Sequence, residues 1–306
     1  MTERIIAGMR DEVWPALPYD AWKDTFATLH MWTQVVGKVA LAKAPPINHS
    51  WGVALQVTAR GLSTRALPYG SRSFALEFDF IDHQLVIRTS DGASRTLPLV
   101  PQTVADFYRQ VMTMLREMEL PVRIWPLPSE VPSPIRFDED REHRAYDAEY
   151  AHRFWRILVQ LDRVFSESRC AFVGKCSPAH FFWGGFDLAV TRFSGRTAPP
   201  REGPAFMREA YSHEVISHGF WPGGGAVPDA ALYSYAVPEP LGLKEAVVRP
   251  AAAYYHRELG EFILPYESVR TAPDPSAAVK DFVESTYEQA ATLGGWDRTT
   301  LERSAI

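Results

Sequence analysis

The chain has 306 residues, 46% hydrophobic, 12% aromatic and 23% charged, with a formal net charge of -5 and a pI near 6.0. Its 17 Phe, 9 Trp and 12 Tyr exclude an intrinsically disordered chain. The acidic balance argues against nucleic acid as a partner, which calls for a basic surface.

At roughly 100–200 residues per domain, the length fits about two domains, and a core of that size needs neither disulfides nor a metal to fold. No apolar run approaches the roughly 18 residues of a membrane span, so no membrane partner is expected. Residues 1–14 carry Glu3, Arg4, Arg10, Asp11 and Glu12 without an apolar h-region. That predicts no signal peptide, and hence a cytoplasmic location with Cys170 and Cys176 as reduced thiols.

In chain order, Trp22, Phe26, Leu29, Thr33 and Val36 recur at helical spacing and predict a helix over 20–36, with His30 and Gln34 one turn apart on a neighbouring face. Trp51, Val53, Leu55 and Val57 alternate with polar residues and predict a strand. Phe74, Leu76, Phe78 and Phe80 alternate with Glu77 and Asp79 in the next. Turns are expected at Asp82-His83 and Asp91-Gly92. A second helix is expected over 102–119. Pro126, Pro128, Pro132 and Pro134 preclude helix or central strand, so 126–140 reads as a linker. Beyond it come a helix at 145–166, a strand at 182–191, loops and short strands over 200–270, and a helix at 275–293 with Pro275 in its first turn.

The two halves share this order of elements. Set without gaps, 49–65 and 180–196 place His49 on His180, Leu55 on Phe186, Val57 on Leu188, Ser63 on Ser194 and Arg65 on Arg196. The expectation is an α+β fold of two pseudo-repeated halves, 1–125 and 141–306, each an antiparallel sheet with flanking helices.

The segments TLHMWTQVVGKVALA (28–42), FDFIDH (78–83), FVGKCSPAHFFWGGFDLAVTRFSGR (172–196), YSHEV (211–215) and GFWPG (219–223) resemble an uncharacterised, mainly bacterial family, a domain of unknown function. The resemblance runs nearly end to end. It implies no activity and carries over no catalytic residues.

Candidate chemistry therefore rests on the residues. Lys38, His49 and Arg65 in the first half are matched by Lys175, His180 and Arg196 in the second, with Arg60 and Arg192 nearby. Arg grips carboxylates and phosphates with paired bonds, Lys supplies a compact charge and His a titratable donor. These cations lie in stretches poor in acids, as an anion pocket requires; the alternative is long-range pairing, for instance with Glu77 or Glu214. Trp183 and Trp221, in Gly-flanked aromatic runs, suit a pocket wall.

His213-Glu214-Val215-Ile216-Ser217-His218 resembles HExxH with one residue too many, and its Gly-rich surroundings favour a strand, in which His213 and Ser217 share a face and His218 takes the other. A metallopeptidase is thereby disfavoured. A divalent transition metal held by His213, another histidine (His30, His49, His83 or His180) and a carboxylate stays open, and no cofactor is fixed. Glu77 and Asp79, or Asp187 in the second half, could serve acid and base roles. Cys176, beside Lys175, reads as an activated thiol or, more simply, a buried apolar side chain. No G-x-S-x-G elbow, P-loop or G-x-G-x-x-G occurs. The expectation is an enzyme acting on a small anionic molecule in a cleft between the repeats, with His180, His213, Glu214 and Asp187 catalytic. The alternative is a non-catalytic ligand-binding protein using the same groups.

Overall fold

The computed structural model describes residues 12–303. Residues 1–11, which carry most of the signal-peptide reading, lie outside the described residues. Seven α-helices are described: α1 Tyr19–Lys43, α2 Val104–Glu117, α3 Ala148–Arg169, α4 Ala205–Ala210, α5 Tyr266–Arg270, α6 Pro275–Leu293 and α7 Arg298–Leu301. The strands are β1 Gln56–Val57, β2 Gly61–Ser63, β3 Leu67–Tyr69, β4 Arg72–Asp79, β5 Gln84–Thr89, β6 Ser94–Pro98, β7 His180–Phe182, β8 Asp187–Thr197, β9 His213–Gly224, β10 Val227–Val237, β11 Tyr254–His256 and β12 Glu261–Pro265. The class is α+β, with two antiparallel sheets. None of the described helices is long and apolar enough to cross a membrane.

The chain divides into two compact units, each drawn from separated segments. One comprises Asp20–Trp155 and His180–Asp187. Its sheet runs β1-β2-β4-β5-β6, with β3 also on β4. Period-2 alternation buries Phe74, Leu76 and Phe78 on one face of β4, while Glu77 on the other bonds Thr58 and Arg88. Helix α1 is buried on nearly all sides: Leu29, Trp32, Val35, Val36 and Val39 are sealed, and so are the polar Gln34 and Lys38. Thr103 caps α2 by accepting from the Asp106 N–H.

Of the described residues, the other unit comprises 12–19, Arg156–Ala179 and 188–303. Its strands follow the order β11-β12-β10-β9-β8. The β9–β10 hairpin turns at Gly224 and Gly225, whose φ of 94° and 81° only glycine adopts without strain. Asp274 caps α6 and Pro275 opens it, as expected.

Three readings need correction. The stretch 200–270 contains two long strands, β9 and β10, because β9 pairs with β10 on one side and β8 on the other through residues whose Gly and Pro content suggested loops. The strand expected over 51–57 shrinks to β1; Asn48–Ser50 is a 3-10 turn in which His49 and Ser50 both take left-handed φ of 58°. The strand expected at 182–191 is two strands, β7 and β8. The ungapped register between 49–65 and 180–196 consequently pairs unlike elements, a 3-10 turn and short β1 and β2 against β7 and the eleven-residue β8.

Candidate functional site

In the unit containing α1, His30, Gln34 and Lys38 follow at i, i+4 and i+8 and so line one stripe of the helix. The irregular segment after Pro126 lies against this stripe. Gln34 Nε2 donates to Ser129 O (2.7 Å) and the Ser129 N–H donates to Gln34 Oε1 (2.7 Å), a two-bond clamp on the backbone of one residue. One turn on, Lys38 Nζ donates to Ser129 Oγ at 3.0 Å. Its ammonium also lies 5.9 Å from the centre of the Trp183 ring, a cation–π approach. Trp183 is itself fixed by its indole N–H, which donates to Val53 O at 3.0 Å. Gly37 makes this contact possible, since a Cβ there would stand 2.2 Å from the Trp183 ring.

Lys38 is 6% exposed and has no ion pair among the described residues. Burial pushes its amine below the ordinary lysine value. At the other end of the stripe, burial lowers His30 to about 4, with His143 adding a smaller push, while its Nε2 donates to Gly184 O at 2.8 Å. His143 is raised instead, because its Nδ1 bonds the sealed Asp140 carboxylate at 2.7 Å. Ser129, Asp140 and His143 were missed in the sequence. The available signal was the polar line His30–Gln34–Lys38 within an apolar helix; nothing local marks Ser129.

The same unit holds His49 and His180. Both are buried, and Trp51 stands between them at 5.6 and 6.0 Å between ring centres. Left-handed backbone at His49 and Ser50 is local strain of the sort that gathers at functional sites. Asp187 is half-buried beside Gly185, and Arg65 is exposed. Arg60 bonds Asp79 and Asp82.

In the other unit, long-range pairing, the alternative to a cationic pocket, holds for two arginines. Arg192 is 3% exposed, bonds both Glu284 oxygens (2.9 and 3.3 Å) and Ser168 O (2.8 Å), and stacks on Tyr287. Arg196 bonds Glu214 at 2.6 Å and the Gly294 and Gly295 carbonyls. Lys175 is exposed and lies over the Phe193 ring. His213 begins β9, where the strand puts His218 on the opposite face; His218 is buried against Thr286 at 3.0 Å. Trp221 packs on Val227, Ala231 and Ile263. Burial pushes the Cys176 thiol up, away from thiolate chemistry. Among the described residues, no group of three or more His, Cys, Asp or Glu side chains could hold a metal ion.

Small clefts among the described residues of this unit include the following. One, of about 90 Å³, is mainly apolar and runs from Glu214 past Val237 and Pro238 to Trp296. A second, of about 100 Å³, opens beside Arg192 and Tyr287.

No curated protein and no solved structure matches the chain. A family model does, over residues 14–303, nearly the span from which the resemblance was read. The chain therefore belongs to a family of unknown function, DUF5996.

Proposed function

We propose that the protein is an enzyme of the acyl-transfer class, with Ser129 as nucleophile and Lys38 as its general base. The observation that carries this reading is a buried lysine, lowered by desolvation and without an ion pair among the described residues, 3.0 Å from a serine hydroxyl. A serine is a weak nucleophile until a base within hydrogen-bond reach takes its proton, and a desolvated lysine is one such base. Neutral Lys38 accepts the Ser129 proton as Oγ attacks the acyl carbon of an ester or amide. The ammonium returns that proton to the departing alcohol or amine, leaving Ser129 acylated. A water deprotonated by Lys38 then releases the acid and restores the hydroxyl. Gln34 acts as a positioning residue, since its clamp fixes the Ser129 peptide beside the lysine. Trp183 covers one side of the amine, which favours its neutral form.

The test is covalent labelling read by intact mass and peptide mapping, with p-nitrophenyl acetate and a fluorophosphonate as probes. The expected result is one adduct, on Ser129, absent in Ser129→Ala and slowed about 100-fold or more in Lys38→Met, the usual worth of a general base. An adduct elsewhere, equal labelling of Ser129→Ala, or probe binding without acylation overturns the reading.

A further inference from the structure

The second cleft is lined by charged groups, and most are already paired. Arg192 is committed to Glu284, and Arg298 to Glu302, whose two oxygens it meets at 2.5 and 3.3 Å. Tyr287 forms a buried floor, its hydroxyl beside Glu302. Two charges remain. Arg303 anchors its Nε on Cys170 O at 3.0 Å, which leaves the terminal guanidinium nitrogens without an ion pair among the described residues. Glu288, one turn along α6 from Glu284, also lines the cleft; it forms no ion pair among the described residues, although its charge helps hold Arg298 protonated. The two do not bridge each other.

A cleft that keeps one cation and one carboxylate outside its two ion pairs is matched by a ligand carrying both signs. A lone anion would meet Glu288, and a lone cation would meet Arg303. The volume of about 100 Å³ holds several ordered waters or one small amino acid, and no more. We infer that this cleft binds the zwitterionic head of a small α-amino acid, its carboxylate on the Arg303 guanidinium and its ammonium on Glu288. Guanidinium suits a carboxylate because its N–H groups match the two oxygens. The ion pairs of Arg192 and Arg298 frame the cleft without adding net charge, so selectivity rests on Arg303 and Glu288. The site is independent of the Lys38–Ser129 reading: it lies in the other unit and involves neither residue.

Calorimetric titration of the full chain with glycine, L-alanine, acetate and methylammonium tests the inference. Glycine and alanine are expected to bind, with acetate and methylammonium each at least 10-fold weaker. Arg303→Gln, at an exposed position, and Glu288→Gln, at a half-buried one, are expected to keep the circular dichroism spectrum and each to weaken alanine binding about 10-fold or more. Binding of acetate as tightly as alanine would show an anion site only. Absence of any amino-acid binding at 10 mM, or undiminished alanine binding by either folded variant, would equally overturn the inference.

Discussion

A buried ammonium loses its hydration shell, and one hydroxyl and one indole face replace only part of it. Lys38 is therefore expected to be retained at the expense of stability. Lys38→Met, close in volume and uncharged, should raise the unfolding midpoint by a few degrees while slowing Ser129 acylation about 100-fold or more; calorimetry with the labelling assay checks both. Lys38→Arg keeps the charge but cannot lose its proton near neutrality, so it should be as inactive as Lys38→Met. The pH dependence follows from the lowered amine. Between its folded value and the unfolded value of 10.5, the unfolded chain holds the extra proton, so this group's contribution to stability grows as pH rises through that window. Acylation by the native protein should rise with pH over the lower part of the same window and level off before 10.5. A rate that does not change with pH would contradict Lys38 as the base.

At the scale of elements, α1 and the proline-rich segment beside it form one device. The prolines deny the segment a backbone ladder, so Ser129 takes its peptide partners from the Gln34 side chain. Gln34→Leu should remove both bonds to Ser129, cost about 1–3 kcal/mol and slow acylation, with Ser129 still present and unlabelled at early times. Gly37 is the other fitted point. A methyl group there enters the Trp183 ring, so Gly37→Ala should destabilise the protein by about 1–3 kcal/mol and lift the indole from Lys38. Urea unfolding of each variant, set beside its labelling rate, separates loss of fold from loss of chemistry.

For the whole molecule, two histidines set opposite acid responses. His30, held at about 4 by burial, refuses a proton that the unfolded chain accepts near 6.5. Its contribution is present above pH 6.5 and is lost as pH falls toward 4, by roughly 3 kcal/mol at full effect. His143, raised by Asp140, contributes below 6.5 and loses that contribution as pH rises through its raised value. The urea midpoint of His30→Gln should fall less between pH 6.5 and 4 than that of the native chain, because glutamine keeps a donor for Gly184 O and takes no proton.

The elements governed by local rules were legible in sequence. Period-2 alternation gave β4, helical spacing gave α1 and α2, Pro275 opened α6, and strand alternation set His213 and His218 on opposite faces of β9. Lys38 could be picked out as a cation among apolar residues, and His30 and Gln34 as neighbours on one face. What local rules could not supply was the partner of each charge. Arg192 and Arg196 looked like unpaired cations because Glu284 and Glu214 are 92 and 18 residues away, and only the packing of α6 and β9 brought them together. Ser129 looked like one residue of a proline-rich connection; folding laid that segment along α1, 91 residues distant in sequence, and put its hydroxyl on the lysine. The sequence by itself determined which segments become helix or strand and which faces are apolar, because those follow from spacing along one chain. The tertiary structure alone decided which cations are neutralised and which serine meets a base, because burial and pairing are properties of segments brought together from afar.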